Sequence, residues 1–143
     1  MNLTKNFTLE ELTYSDYARR FGIPNDPTPE AVDNLRHLCE HLLQPVRDTM
    51  GMPLRISSGY RSPLLNLRIG GARNSQHCTG QAADIVVPRQ HINALYHLIE
   101  DNYVFDQLIY ETRHDKNGHV SSCWIHVSLK KEGNRMQAFA IDE

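Results

Sequence analysis

Apolar and polar positions follow a helical period through the first half of the chain and a strand period through the last third. In FTLEELTYSDYARRFG, Thr8 is placed to cap a helix with Glu11 as its reciprocal partner, Phe7 and Leu12 can form a hydrophobic staple, and Gly22 suits the end. In TPEAVDNLRHLCEHLLQPVRDTMG, Val32, Leu35, Cys39, Leu42, Val46 and Met50 recur at helical spacing behind a Thr28 cap with Pro29 in the first turn. Gly51 should stop this helix and Pro45 should bend it. PLRISSGY then reads as a short strand, SPLLNLR as a capped helical turn and AADIVV as a buried strand. PRQHINALYHLIEDN follows as a helix with Ile92, Leu95 and Leu98 facing inward. VFDQLIYE and SSCWIHVSL read as strands joined across DKNG, whose Asn-Gly is a hairpin signal, and RMQAFAI can add an edge strand. The pattern predicts an α+β fold: N-terminal helices packed on a small antiparallel sheet.

Composition narrows this picture. The 143 residues, 40% of them apolar, suffice for one core, and the absence of repeats, linkers or low-complexity tracts predicts a single domain over 1–143. With 15 basic against 17 acidic residues the net charge is −2, which argues against capture of nucleic acid or of an anionic membrane. No apolar run approaches the roughly 20 residues that span a bilayer. The N-terminus MNLTKNFTLEEL has no basic region followed by an apolar stretch, so a cytoplasmic product without a signal peptide is expected. Cys39, Cys78 and Cys123 are odd in number and widely spread, which predicts reduced thiols rather than a disulfide framework.

Candidate chemistry centres on SQHCTGQAADI. Asp84 opens an apolar strand, where a carboxylate must find a cation or hydrogen-bond donors, and His77 lies seven positions earlier. Gly80, Ala82 and Ala83 allow a tight turn and close backbone approach to whatever these two hold. His126 sits mid-strand in WIHVSL. Each residue alone reads as an ordinary hydrogen-bonded side chain. Together, two histidines and a carboxylate with an open fourth position suit a catalytic Zn2+ site.

The order ISSGYRSPLLN, GGARNSQHCTGQAADI, FDQLIYE and WIHVSL resembles the zinc D-alanyl-D-alanine carboxypeptidases and phage endolysin peptidases, distant relatives of lysostaphin-type enzymes and of the hedgehog signalling domain. The likeness extends to NFTLEELT and the LLQPVRD helix. It implies that His77, Asp84 and His126 hold zinc, and that Arg61 stabilises a developing oxyanion or a peptide carboxylate. A guanidinium, planar and permanently charged, suits that role. The resemblance further implies a peptidoglycan peptide as substrate, reached after release of a protein made in the cytoplasm, with hydrolysis either at a terminus or internally.

The chain departs from this pattern in one place. Several relatives carry an acidic general base three residues before the last zinc histidine, and others a histidine two before it; here those positions are Cys123 and Trp124. Glu111, at the end of QLIYE, is the leading substitute, ahead of Asp106 and His119. Which side of the hairpin it faces depends on a register that a one-residue slip would reverse. Cys123 should face away from His126, being three positions distant on a strand. Cys78 lacks the surroundings that would activate a thiol nucleophile. The rival expectation is a module of the same fold that binds zinc and cell wall without turnover.

Overall fold

The computed structural model describes residues 1–143. Thr8 caps α1 (Leu9–Thr13), its hydroxyl accepting from the Glu11 amide at 3.1 Å. The chain then breaks where one continuous helix was expected. Tyr14 is extended, and Ser15 starts α2 (Asp16–Phe21) by accepting from the Ala18 amide, with Gly22 closing it in the left-handed region. Glu11 does not complete a reciprocal cap. Its carboxyl, raised by burial, takes the Ile56 backbone amide of the first strand instead.

α3 (Pro29–Leu38) begins at the Thr28 cap with Pro29 at its first position, as the pattern predicts. The bend expected at Pro45 takes the form of a π-turn over Cys39–Leu43, ahead of α4 (Gln44–Met50). Pro45 has no amide to return to the preceding turn, and the Gln44 amide reaches five residues back to Cys39. The wider turn sends Leu38, Cys39, Leu42, Leu43 and Val46 all into the core.

The sheet is built from β1 (Arg55–Ser58), β2 (Ala82–Val86), β3 (Gln107–His114), β4 (Val120–Ser128) and β5 (Gln137–Asp142), in the order β1-β2-β4-β3-β5. Between β1 and β2 lie α5 (Pro63–Arg68) and a 3₁₀ turn over Gln76–Thr79; α6 (Arg89–Asn102) joins β2 to β3. The β3–β4 hairpin turns at Asp115–Gly118, with Asp115 accepting from the Asn117 and His119 amides. The expectation of a wholly antiparallel sheet is corrected at one edge: β5 pairs with β3 in parallel, because it returns past the hairpin through residues 129–136.

Alternation assigns the two faces. Ala83, Ile85, Ile125, Val127 and Leu108 are buried and merge with the helices in one core of 24 residues. α6 contributes Ile92, Leu95 and Ile99. Leu98, expected inward, is only half-buried, since the i, i+3, i+7 row selects Ile99. Each such side chain contributes roughly 1.5–3 kcal/mol. No helix is long and apolar enough to cross a membrane.

One polar group lies inside this frame. Asp106, just before β3, is fully buried, and its carboxylate accepts from Arg135 Nε at 3.0 Å, Arg135 Nη2 at 2.7 Å, the Arg135 amide at 2.9 Å and Gln76 Nε2 at 3.0 Å. The hydrogen bonds from Arg135 outweigh burial and hold its pKa down at about 2, against an ordinary value of 3.8. A depressed carboxyl stabilises the fold above the unfolded-state pKa, and that stabilisation is lost as pH falls from about 4 towards 2. Asp106→Asn should therefore cost roughly 2 kcal/mol at pH 6. In urea titrations the gap between wild type and variant should narrow steadily as pH falls below about 4, to less than half its neutral value by pH 2.5; a gap independent of pH would refute the assignment.

Candidate metal centre

The face of the sheet turned away from the core carries the site. In β2–β4 pairing Asp84 stands opposite His126, and in β3–β4 pairing Ile109 stands opposite His126 and Glu111 opposite Trp124. Directly paired residues share a face, as do residues two apart on one strand. Asp84, His126, Trp124 and Glu111 are thus placed together by strand register alone, and the slip that would have turned Glu111 away does not occur. Cys123 lies on the opposite face, half-buried against the core.

His77 arrives from outside the sheet, on the 3₁₀ turn. Ser75 caps this turn through the His77 amide, and Gly80 ends it at φ +77°. A Cβ at Gly80 would also lie 2.4 Å from the Ala31 carbonyl, so the turn is fitted against α3 by having no side chain there. The ring is buried, and its Nδ1 meets the Gly59 carbonyl at 2.7 Å. A carbonyl only accepts, so Nδ1 is a donor and Nε2 is the nitrogen left to face the site.

These pieces converge. His77 Nε2 lies 3.3 Å and His126 Nδ1 2.9 Å from Asp84 Oδ1, and one ligand atom from each of the three falls within 4.8 Å of the others. Tetrahedral zinc with bonds of roughly 2.0–2.1 Å separates its donors by roughly 3.3 Å, so spacing and donor chemistry both fit Zn2+. Burial disfavours the Asp84 carboxylate, but hydrogen bonding to His126 and His77 prevails and keeps it ionised well below the usual range.

Glu111 is half-buried beside the group. Burial, then the charge of Asp84, raises its pKa, while Trp124 Nε1 donates to Oε2 at 3.1 Å and fixes its direction. Arg61 lines the same cleft, of about 680 Å³. Its Nε donates to Ser58 Oγ at 3.1 Å and its Nη1 to Asn66 Oδ1 at 2.8 Å. Ser58 is aimed there by a bulge in β1 that pairs it with Asp84. Gly71 lets the following loop lie against this clamp, since a Cβ would sit 2.7 Å from Arg61 Nη1. Burial lowers the guanidinium's pKa and the charge of Asp84 partly restores it.

The remaining sequence candidates are elsewhere. Asp106 is committed to Arg135, and His119 is exposed in the hairpin turn beside Asp115. The Cys78 thiol is raised by burial, against the pull of Arg61, as expected of a cysteine that is no nucleophile. Sequence reasoning passed over Trp124 as an orienting group and Arg135 as part of the cleft wall. The alternation of Trp124 with His126 could have revealed the first. Arg135 sits in an irregular loop with no periodic signal.

The family model described as Peptidase M15 matches residues 5–121, a span that includes Arg61, His77, Asp84 and Glu111 and ends before His126. Over 54 residues the chain is 43% identical to the zinc D-Ala-D-Ala carboxypeptidase of Streptomyces albus G. That alignment covers 37% of this chain and 21% of the relative.

His77→Ala should lose zinc while keeping the fold, since the core lies on the other face of the sheet. Metal content after dialysis should fall from one equivalent to near zero, with a cooperative melt retained. Global unfolding of the variant would instead mark the site as chiefly structural.

Proposed function

The chain belongs to the peptidase M15 family, and we propose that it is a single-domain zinc-dependent peptidase hydrolysing an amide bond in bacterial peptidoglycan peptides. The observation that carries this reading is the meeting of three metal donors with a half-buried glutamate on one sheet face. In it, His77, Asp84 and His126 hold the ion. When bound, zinc supplies a Lewis acid for the scissile carbonyl and brings the pKa of water from 15.7 down to about 7.

The protein's own groups do the rest. Glu111, raised in pKa and oriented by Trp124, accepts the proton of the attacking water and returns it to the leaving amine. Arg61, held on two nitrogens with Nη2 unbonded within the protein, stabilises the developing oxyanion or a peptide carboxylate. The Ser58 and Asn66 contacts mean that little reorganisation is needed when charge develops. The alternative of a silent zinc module drew its support from the missing acid before His126. Glu111 supplies a carboxylate on the correct face, which favours turnover.

Zinc-loaded protein incubated with purified peptidoglycan should release new amino and carboxyl termini. Glu111→Gln should lower kcat about a thousandfold with zinc content unchanged. Full activity in that variant would remove Glu111 from the mechanism, and zinc binding without products from the wild type would favour the silent module.

A further inference from the structure

The cleft has a second fixed guanidinium that the hydrolytic scheme leaves unused. Arg135 lines it, and its Nε and Nη2 are both bound by the fully buried Asp106. Its Nη1 makes no bond within the protein. Arg61 is built the same way: two nitrogens pinned, one by the buried Asn66, and the third open. The pair flank the metal donors. Arg61 follows β1 at one edge of the sheet and Arg135 precedes β5 at the other, with β2 and β4, which carry Asp84 and His126, between them.

Local charge favours an anion at Arg135. The single charge of Asp106 faces both Arg135 and Lys130, whose Nζ lies 3.8 Å away, so this corner is left one positive charge in excess. Arg113 offers no equivalent: it stacks over Trp124 at 5.3 Å and pairs with Glu143 at 3.8 Å, with no buried group behind it. Holding a guanidinium rigid by a buried carboxylate while leaving one edge open removes the ordering cost of binding a carboxylate there.

Resting on the peptidase reading for the reacting bond, we propose that Arg135 is a carboxylate-binding subsite, so that the preferred substrate is an acidic peptide with a free carboxylate displaced from the scissile bond. Three strand spacings of about 4.8 Å separate β1 from β3, next to which Asp106 holds Arg135; the carboxylate therefore lies roughly three to five extended residues from the group at Arg61.

The test uses a synthetic pentapeptide ending in D-Ala-D-Ala and bearing one glutamate, prepared with that side chain as free acid or as amide. In the wild type, amidation should raise KM about tenfold with a smaller effect on kcat. Arg135→Gln should raise KM for the free acid by a similar factor and abolish the discrimination. Arg135→Lys, which keeps an ion pair with Asp106, should retain part of it and guards against a folding defect, while the exposed-charge control Lys5→Gln should behave as wild type. Equal KM for the two peptides in the wild type, or discrimination surviving in Arg135→Gln, would overturn the proposal. If neither peptide is hydrolysed, cleavage of this bond is excluded while the peptidoglycan digest judges the peptidase reading, and calorimetric binding of the same two peptides to wild type and Arg135→Gln decides the subsite by the same preference.

Discussion

The arrangement of the cleft depends on one carboxylate that is almost out of water. Asp84 stands on β2 with its side chain 15% exposed and both neighbouring imidazoles turned toward the same oxygen. An isolated carboxylate there would be strongly destabilising, and each of its partners is therefore fixed by a separate part of the fold. His126 is fixed by strand pairing. His77 is fixed by the Gly59 carbonyl and by a turn packed against α3.

That division has a mechanical consequence. Two donors ride on adjacent central strands, where spacing is set by the hydrogen-bond ladder and cannot drift without disrupting the core on the other face. The third comes from a turn, yet the turn is tied on both sides: the His77 carbonyl accepts from the Arg61 amide, and the Gln76 side chain donates to Asp106. Movement of the turn would disturb Arg61 and Arg135 together with His77. The groups argued to contact substrate and the groups suited to metal are thus one connected structure.

Much of this was legible in the chain. Cap residues and heptad-like spacing marked the start of α3, Asn-Gly marked the hairpin, and alternation marked the strands. The His77, Asp84 and His126 set was suggested by an acidic residue at the mouth of an apolar strand together with two histidines, and was implied as a whole only by the family resemblance. Local chemistry hid the rest. Nothing in FTLEELTYSDYARRFG distinguishes one helix from two until Ser15 is seen to cap Ala18, because serine is tolerated inside a helix and preferred at its start. The parallel pairing of β5 depends on where a loop returns, not on the composition of RMQAFAI. Glu11 left its expected partner because the Ile56 amide, distant in sequence, is nearby in space.

Strand geometry also accounts for where the acidic group beside the metal donors is found. On a regular strand the third residue before His126 points into the core, and Cys123 does so. A carboxylate at that position would be buried away from the donors. The same-face neighbours of His126 are Trp124 on its own strand, Asp84 on β2, and Ile109 with its diagonal neighbour Glu111 on β3. Asp84 is committed to the two imidazoles and Ile109 cannot ionise, which leaves Glu111. Trp124 directly opposite donates its indole N–H to that carboxylate, so the residue two positions before His126 contributes by orienting an acid on the next strand.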